Sequence, residues 1–414
     1  MAVSVARNRF RTLGAILSLT LLPCLAFADE PAPDDSGPSN LGQALIQGEV
    51  HLKLRYRFET VSEDIRDKDA YASTLRTALA YSSNPFKGFQ IQLEAEDVTA
   101  IGNELYRNVG AGDLDNGVRD RPVVADPEIT EVNRAILRFQ RGDTTLDLGR
   151  REINLDNHRF VGNVGWRQHH QSFDGVVLEQ RSIPRTRLTY AYLDRVNRIF
   201  GDSRPMSSHL LNFAIDTGPT TDLVLYGYRV DYDELGLSSL STDTFGARLV
   251  GKFEPTWGRC GFELELAEQS DTGDNPADVD AGYQLVKLFV GGGDWDFTVA
   301  REVLEGGADG RFTTPLATLH KFNGWADKFL NTPSIGLVDT FATLRFSRGP
   351  FAADATYHVF ESDSGSVDYG EELDLRATWK SPWKQVFGVK AALYDADRLS
   401  FDTEKVWLWT SWGF

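Results

Sequence analysis

The chain has 414 residues and is acidic, with 43 Lys and Arg against 60 Asp and Glu and a formal net charge of −17, which excludes a protein that wraps nucleic acid on a basic face. Its 2 cysteines exclude a disulfide framework and a Cys-rich metal centre. Mean hydropathy is −0.31, and past the first thirty residues no apolar run is long enough for a spanning helix; 25 Phe, 13 Tyr, 9 Trp and 37 Gly suit a chain of many short strands.

The N-terminus reads as a targeting segment. Arg7, Arg9 and Arg11 precede the apolar stretch 12–28, which closes on Ala26-Phe27-Ala28, so residues 1–28 are expected to be a signal peptide cleaved before Asp29. Cleavage removes three cations and no acid, which leaves the mature chain more negative still. Residues 29–47, rich in Pro, Asp and Ser, are expected to be a flexible periplasmic lead-in that ends in one short helical turn.

From residue 48 the pattern has period two. Val50, Leu52, Leu54, Tyr56 and Phe58 alternate with Glu49, His51, Lys53, Arg55, Arg57 and Glu59. The same alternation returns at 89–96, 260–268 and 373–380. Strands of about ten residues with one apolar and one charged face predict an all-β fold, a transmembrane antiparallel up-and-down barrel with a wet lumen over 48–414. Strands are expected near 48–59, 70–81, 89–99, 130–141, 144–152, 172–182, 185–195, 207–217, 222–232, 242–253, 259–269, 281–291, 294–303, 336–347, 351–361, 371–381, 386–396 and 404–414. Every second link is short and rich in Gly or Pro, such as Gly142-Asp143, Gly218-Pro219-Thr220 and Gly349-Pro350, and these predict periplasmic turns. The intervening links are longer, notably 100–129, 153–171 and 304–335, and predict extracellular loops, with occlusion of the pore by the first and last of these left open. The final strand carries Val406, Leu408, Trp412 and Phe414 on one face, the address that such barrels present to their insertion machinery. The expected location is the outer membrane of a Gram-negative bacterium, in contact with its lipid and lipopolysaccharide.

Two stretches resemble a known family. Residues 149–175 (GRREINLDNHRFVGNVGWRQHHQSFDG) and 318–346 (TLHKFNGWADKFLNTPSIGLVDTFATLRF) are similar to signature stretches of the alginate export family of outer-membrane porins. The resemblance implies a monomeric eighteen-stranded barrel whose basic pore conducts an anionic polysaccharide or oligosaccharide. One link departs from that pattern. Ser381–Gln385 is short where the exporters carry a long periplasmic loop, which keeps open a general or substrate-specific porin for small solutes.

The chemistry is expected in the lumen. Alternation sends Lys53, Arg55 and Arg57 inward, with Arg76, Arg134, Arg138, Arg187, Arg229, Arg248, Lys390 and Lys405. Arginine suits an anion path because its fixed fork meets a carboxylate in two places and is always charged. The competing expectation is that these cations pair with Glu94, Glu96, Asp147, Glu263, Glu265 and Asp374 in cross-lumen ladders. Arg159, Arg167 and Trp325 are loop candidates for the solute path. Phe312, Phe322 and Phe329, with Trp325, either stack on sugar rings, pack a loop inside the barrel or join an aromatic girdle. Asp271, Asp274, Asp278 and Asp280 offer an oxygen-rich loop for Ca²⁺ without the EF-hand spacing. His169 and His170 are adjacent in an extended segment and point opposite ways, so they are not expected to chelate one ion together. No cofactor is implied. Catalytic spacing is absent from the sequence, so an outer-membrane barrel enzyme stands only as a further alternative.

Overall fold

The computed structural model describes residues 37–308 and 310–414. The expected signal peptide 1–28 and the first part of the lead-in lie outside the described residues. The lead-in does end in a short helix, α1 (Leu41–Ile46), capped by the Asn40 side chain accepting from Gln43 N–H.

Eighteen strands follow. They are β1 (Glu49–Glu63), β2 (Ala70–Ser82), β3 (Phe89–Ala100), β4 (Ile129–Arg141), β5 (Thr144–Arg151), β6 (Ser172–Gln180), β7 (Thr186–Asn197), β8 (Ser203–Gly218) and β9 (Thr221–Val230). The second half comprises β10 (Thr242–Phe253), β11 (Arg259–Asp271), β12 (Asp280–Gly292), β13 (Trp295–Leu304), β14 (Leu337–Arg348), β15 (Phe351–Glu361), β16 (Asp368–Lys380), β17 (Val386–Ala396) and β18 (Thr403–Gly413). Each expected strand is present. The largest differences are the far end of β1, which runs past 59, and the start of β8 at Ser203 in place of 207. Both strands project beyond the alternating core because loop residues continue the ladder there.

Every strand pairs antiparallel with its chain neighbours, and β1 also pairs with β18 from Lys53↔Gly413 to Glu63↔Thr403. The sheet is therefore a closed barrel. At the seam the Phe414 N–H donates to the Leu52 carbonyl at 2.9 Å, and the Leu52 N–H donates back to the Phe414 carbonyl at 3.3 Å. Short turns lie at the end of the barrel that holds the start of β1 and the end of β18, and the long links 101–128, 152–171 and 305–336 lie at the other.

The outer surface is apolar. Leu79, Leu93, Leu137, Leu225, Phe245, Leu266, Leu288, Phe297, Leu344 and Leu408 are all exposed. Such a belt, drawn from strands around the whole barrel, is stable only against lipid, which places the protein in the outer membrane. Aromatic side chains gather at the short-turn end, where Trp295 packs on Phe346, and Trp379 packs on Phe351, Trp383 and Phe387. They form the girdle expected at a membrane interface.

Cys260 pairs with Phe253 and Val290 and shares its outward row with Leu264, whereas Glu263 and Glu265 on the alternate row are buried in the lumen. A membrane-impermeant maleimide added to intact cells is expected to leave Cys260 unlabelled, with complete labelling after denaturation. Rapid labelling of the folded protein would show that β11 is one residue out of register, since a single slip reverses every side chain.

Candidate functional site

The inward face of β1 holds a loop. Arg55 donates to the Gln168 side chain at 2.9 Å, to the Gly165 carbonyl at 3.1 Å and to the Arg167 carbonyl. Arg57, 1% exposed, donates to the Trp166 carbonyl and to Asp126. Both arginines thus pin the link 152–171, which folds into the barrel. Lys53 lies nearer the short-turn end, 3.7 Å from Glu94.

Of the eight remaining predicted wall cations, seven fall into three groups. Arg76 pairs with Glu96, Arg138 grips Asp147 with two bonds of 2.7 and 2.8 Å, and Arg248 meets Glu263 at 2.9 Å. These pairs join neighbouring strands along the wall, in place of the expected ladders across the lumen. Arg134 is 3.7 Å from Glu152 and part-exposed, and Arg187 lies on the inward row of β7 with the buried Thr189 and Ala191. Lys390 and Lys405 are buried against the second inward loop.

Arg229 is a correction. It lies on the outer face and pairs with Asp243 at 2.7 and 2.8 Å. The inward row of β9 is Val224, Tyr226, Tyr228 and Val230, all buried. Phe160 of the inward loop packs on Tyr226, Tyr228, Tyr283 and Phe312. Arg229 shares its outward row with Leu223 and Leu225, so the strand keeps the usual polarity of the barrel and this one arginine ends an apolar outer row.

The calcium loop is a second correction. Among the described residues, Asp271, Asp274, Asp278 and Asp280 belong to no group of three that brings ligand atoms within 4.8 Å of one another. Asp271 instead accepts from the Val279 N–H at 3.1 Å, an ordinary turn contact.

The links 152–171 and 305–336 meet in the middle of the barrel. Arg159, 1% exposed, donates to Glu302 at 2.8 Å and to Asn323 at 3.1 Å. Arg167 binds Asp327 at 2.8 Å and Glu59 at 3.3 Å. Asp327 also receives Lys405 at 2.8 Å and faces His320 Nδ1 at 2.6 Å. Burial alone would raise the Asp327 carboxyl, but His320, Lys405 and Arg167 hold it well below the usual carboxylate range. Burial, with Lys390 and Arg167 nearby, pushes His320 well down. His320 is therefore a neutral imidazole whose Nδ1–H donates to Asp327, while Nε2 accepts from Lys390 Nζ at 2.8 Å. Lys390 Nζ sits 3.6 Å from the Trp325 ring and 4.3 Å from the Trp166 ring, an amine enclosed by aromatic faces. Trp325 is fixed by its N–H donating to Asp374 at 3.2 Å. Phe312 packs on Phe160 and Tyr283, Phe322 lies over Arg159, and Phe329 packs on Phe360. The aromatic residues of this loop pack it inside the barrel.

On the long-loop side of this layer is a cavity of about 490 Å³. Its charged lining is Arg159, Arg167, Arg198, Arg204, Arg311, Lys328 and Lys405 against only Glu63 and Asp327. Apolar lining comes from Ile199, Phe200, Leu304 and Phe329. Arg311 donates to the Thr332 carbonyl at 2.7 Å and makes no ion pair among the described residues. Arg198, Arg204, Arg311 and Lys328 escaped the sequence analysis because alternation assigns no direction to a loop, and Arg204 belongs to the unexpected extension of β8.

The sequence matches no family model and no curated protein. The resemblance to alginate exporters therefore rests on the two quoted stretches alone. Among solved structures the barrel is similar to OpdK of Pseudomonas aeruginosa, determined with vanillate, at 14% identity and a TM-score of 0.70 over 89% of this chain and 99% of that one. It is similar to OccK9 (OpdG) of the same organism at 13% identity, with a TM-score of 0.72 over 90% and 99%. It is also similar to OccAB2 of Acinetobacter baumannii at 14% identity, with a TM-score of 0.71 over 90% and 100%. At these identities the likeness is one of fold, the eighteen-stranded outer-membrane barrel.

Lys328 gives the cavity a pH dependence. Burial pushes its ammonium from 10.5 down to about 8, with Glu63 opposing and Lys405 reinforcing the shift. From about pH 8 to its ordinary value the unfolded chain holds a proton that the folded protein does not, so this residue's contribution to stability rises with pH in that window. Over the same range the cavity loses a charge. The anion/cation permeability ratio is expected to fall between about pH 7 and about pH 9, by at most about threefold, since one charge at about 7 Å in water is worth about 0.6 kcal/mol. Lys328→Met should abolish that slope, as read from reversal potentials at each pH. An unchanged slope would assign the titration elsewhere.

Proposed function

We propose that the protein is an outer-membrane channel for small anionic solutes, which it takes from the extracellular side through the cationic cavity. The carrying observation is the composition of that cavity, with seven cations and two acids around about 490 Å³ on the long-loop side of the packed layer. A volume of this size suits a small molecule. Arginine forks suit carboxylates, and the apolar lining suits a ring or short chain beside the acid. The OpdK structure with vanillate, a small aromatic carboxylate, supports this reading, since it places such a solute with a barrel of this fold.

Export of a polyuronate chain is disfavoured. The links 152–171 and 305–336 occupy the middle of the lumen and cover wall side chains such as Arg57 and Trp407, which, like Arg159 of the first link, are at most 1% exposed, and the Ser381–Gln385 turn is short. Enzyme chemistry has no support in the fold, whose solved neighbours are porins. One chain closes the barrel by itself, which suits a monomeric channel.

Current through single channels in a planar bilayer tests the proposal. The wild-type pore is expected to favour anions under a salt gradient despite the chain's net charge of −17, because cations outnumber acids on the cavity lining and Arg311 there makes no ion pair among the described residues. Millimolar vanillate on the long-loop side should block conductance more strongly than a neutral analogue of the same size. Arg311→Ser together with Lys328→Met should lower the anion/cation ratio by about an order of magnitude, a factor of about three per charge. A cation-selective wild-type pore, or a double variant that matches it, would refute the assignment.

A further inference from the structure

We propose that the base of the link 152–171 carries a transition-metal site of the zinc class, formed by Glu96, Glu131 and His169. These three residues each bring a ligand atom within 4.8 Å of the others. They come from three separate places: Glu96 from β3, Glu131 from β4, and His169 from the last turn of the link before β6.

An acidic cluster alone would not carry the proposal; His169 does. Its side chain has no solvent exposure, and neither ring nitrogen has a hydrogen-bond partner among the described residues. Glu96 is equally buried, and its Oε2 also lacks a partner, while Oε1 takes Arg76, His170 and Asn133. A buried polar atom left unpaired costs about 1–3 kcal/mol, and here several such atoms converge on one place. Water serves such groups where there is room, but the geometry favours an ion. His169 Nδ1 lies 3.2 Å from Glu131 Oε1 without forming a hydrogen bond. Two ligands on a tetrahedral ion, each bound at about 2.0–2.1 Å, stand about 3.3 Å apart.

The ligand types narrow the choice of ion. One imidazole with two carboxylates suits Zn²⁺ and its neighbours better than Ca²⁺ or Mg²⁺, which prefer oxygen alone. His170 stays outside the ligand set. Its Nδ1 is 2.7 Å from Glu96 Oε1 and 3.6 Å from Glu152, so it positions Glu96 from the other side. An ion at this place would tie β3 and β4 to the end of the link that carries Arg159, Trp166 and Arg167. Metal loading therefore stiffens the packed layer without touching the cationic cavity.

The test is calorimetric titration of the chelator-stripped, detergent-folded protein with Zn²⁺, with Mg²⁺ as control. One saturable site per chain is expected for Zn²⁺ alone, with a higher unfolding temperature when loaded. His169→Ala and Glu131→Gln should each weaken binding by about a thousandfold, a one-third share of the free energy of a structural zinc site. Glu131→Gln is nearly isosteric at a part-exposed position, so it decides the matter if His169→Ala fails to show the heat-modifiable mobility of a folded barrel. Absence of one-to-one binding in the wild type, or wild-type affinity in Glu131→Gln, would overturn the site. Conductance selectivity should be the same with and without the metal, which separates this test from that of the channel.

Discussion

Everything in this molecule depends on one constraint: in hydrocarbon each backbone N–H and C=O must find a partner within the protein. A sheet meets it only by closing on itself. The chain does so by pairing its first strand with its last over the register Lys53↔Gly413 to Glu63↔Thr403. Closure then dictates the rest of the pattern. With both edges of every strand occupied, side chains have only two directions, and the outward row must be apolar against lipid. Leu264 and Leu266 face out, and Glu263 and Glu265 on the alternate row face in, because no other register satisfies both rows.

The lumen that closure creates is not uniformly wet. Two links turn into it and replace water with protein, and this decides what each inward residue does. On the β9 side Phe160 packs on the rings of Tyr226 and Tyr228, whose hydroxyls bond Glu265 and Asn212. On the β1 side the same link brings carbonyls and carboxylates to arginines. Burying Arg57, Arg159 and Arg167 is expensive unless each is fully satisfied by acids and carbonyls. The structure largely meets that demand, with a network through Asp126, Glu59 and Asp327 around Arg57 and Arg167 and with Glu302 and Asn323 around Arg159. A network of this kind specifies the position of the loops sharply, because displacing one member strands several charges. Cations at the rim of the layer, such as Arg311, have fewer acids within reach, and the surplus positive charge of the cavity is what remains.

Glycine takes part where bulk would prevent this packing. A Cβ on Gly388 would lie 2.0 Å from the Trp409 ring, which packs edge-on against Trp166 of the inward link. The β17 backbone is thus shaped to admit an aromatic side chain from β18, which in turn seats the loop. Local sequence offers no sign of this contact, since Gly388 stands in an otherwise ordinary strand.

The sequence by itself determined the strands, the two kinds of link and the closing Phe414, because alternation and turn residues act over a few positions and closure follows from the lipid solvent. It also located the inward rows wherever the two faces of a strand differ in polarity, as in β1 and β11. It did not determine which inward arginine meets a solute and which is spent on the fold. Arg57 meets Trp166 and Arg167 meets Asp327 across more than a hundred residues of chain. Arg229 faces outward because it shares the row of Leu223 and Leu225. Contacts between residues so distant in the chain have no local period. They are decided when the barrel closes and the loops find the positions at which every buried charge has a partner.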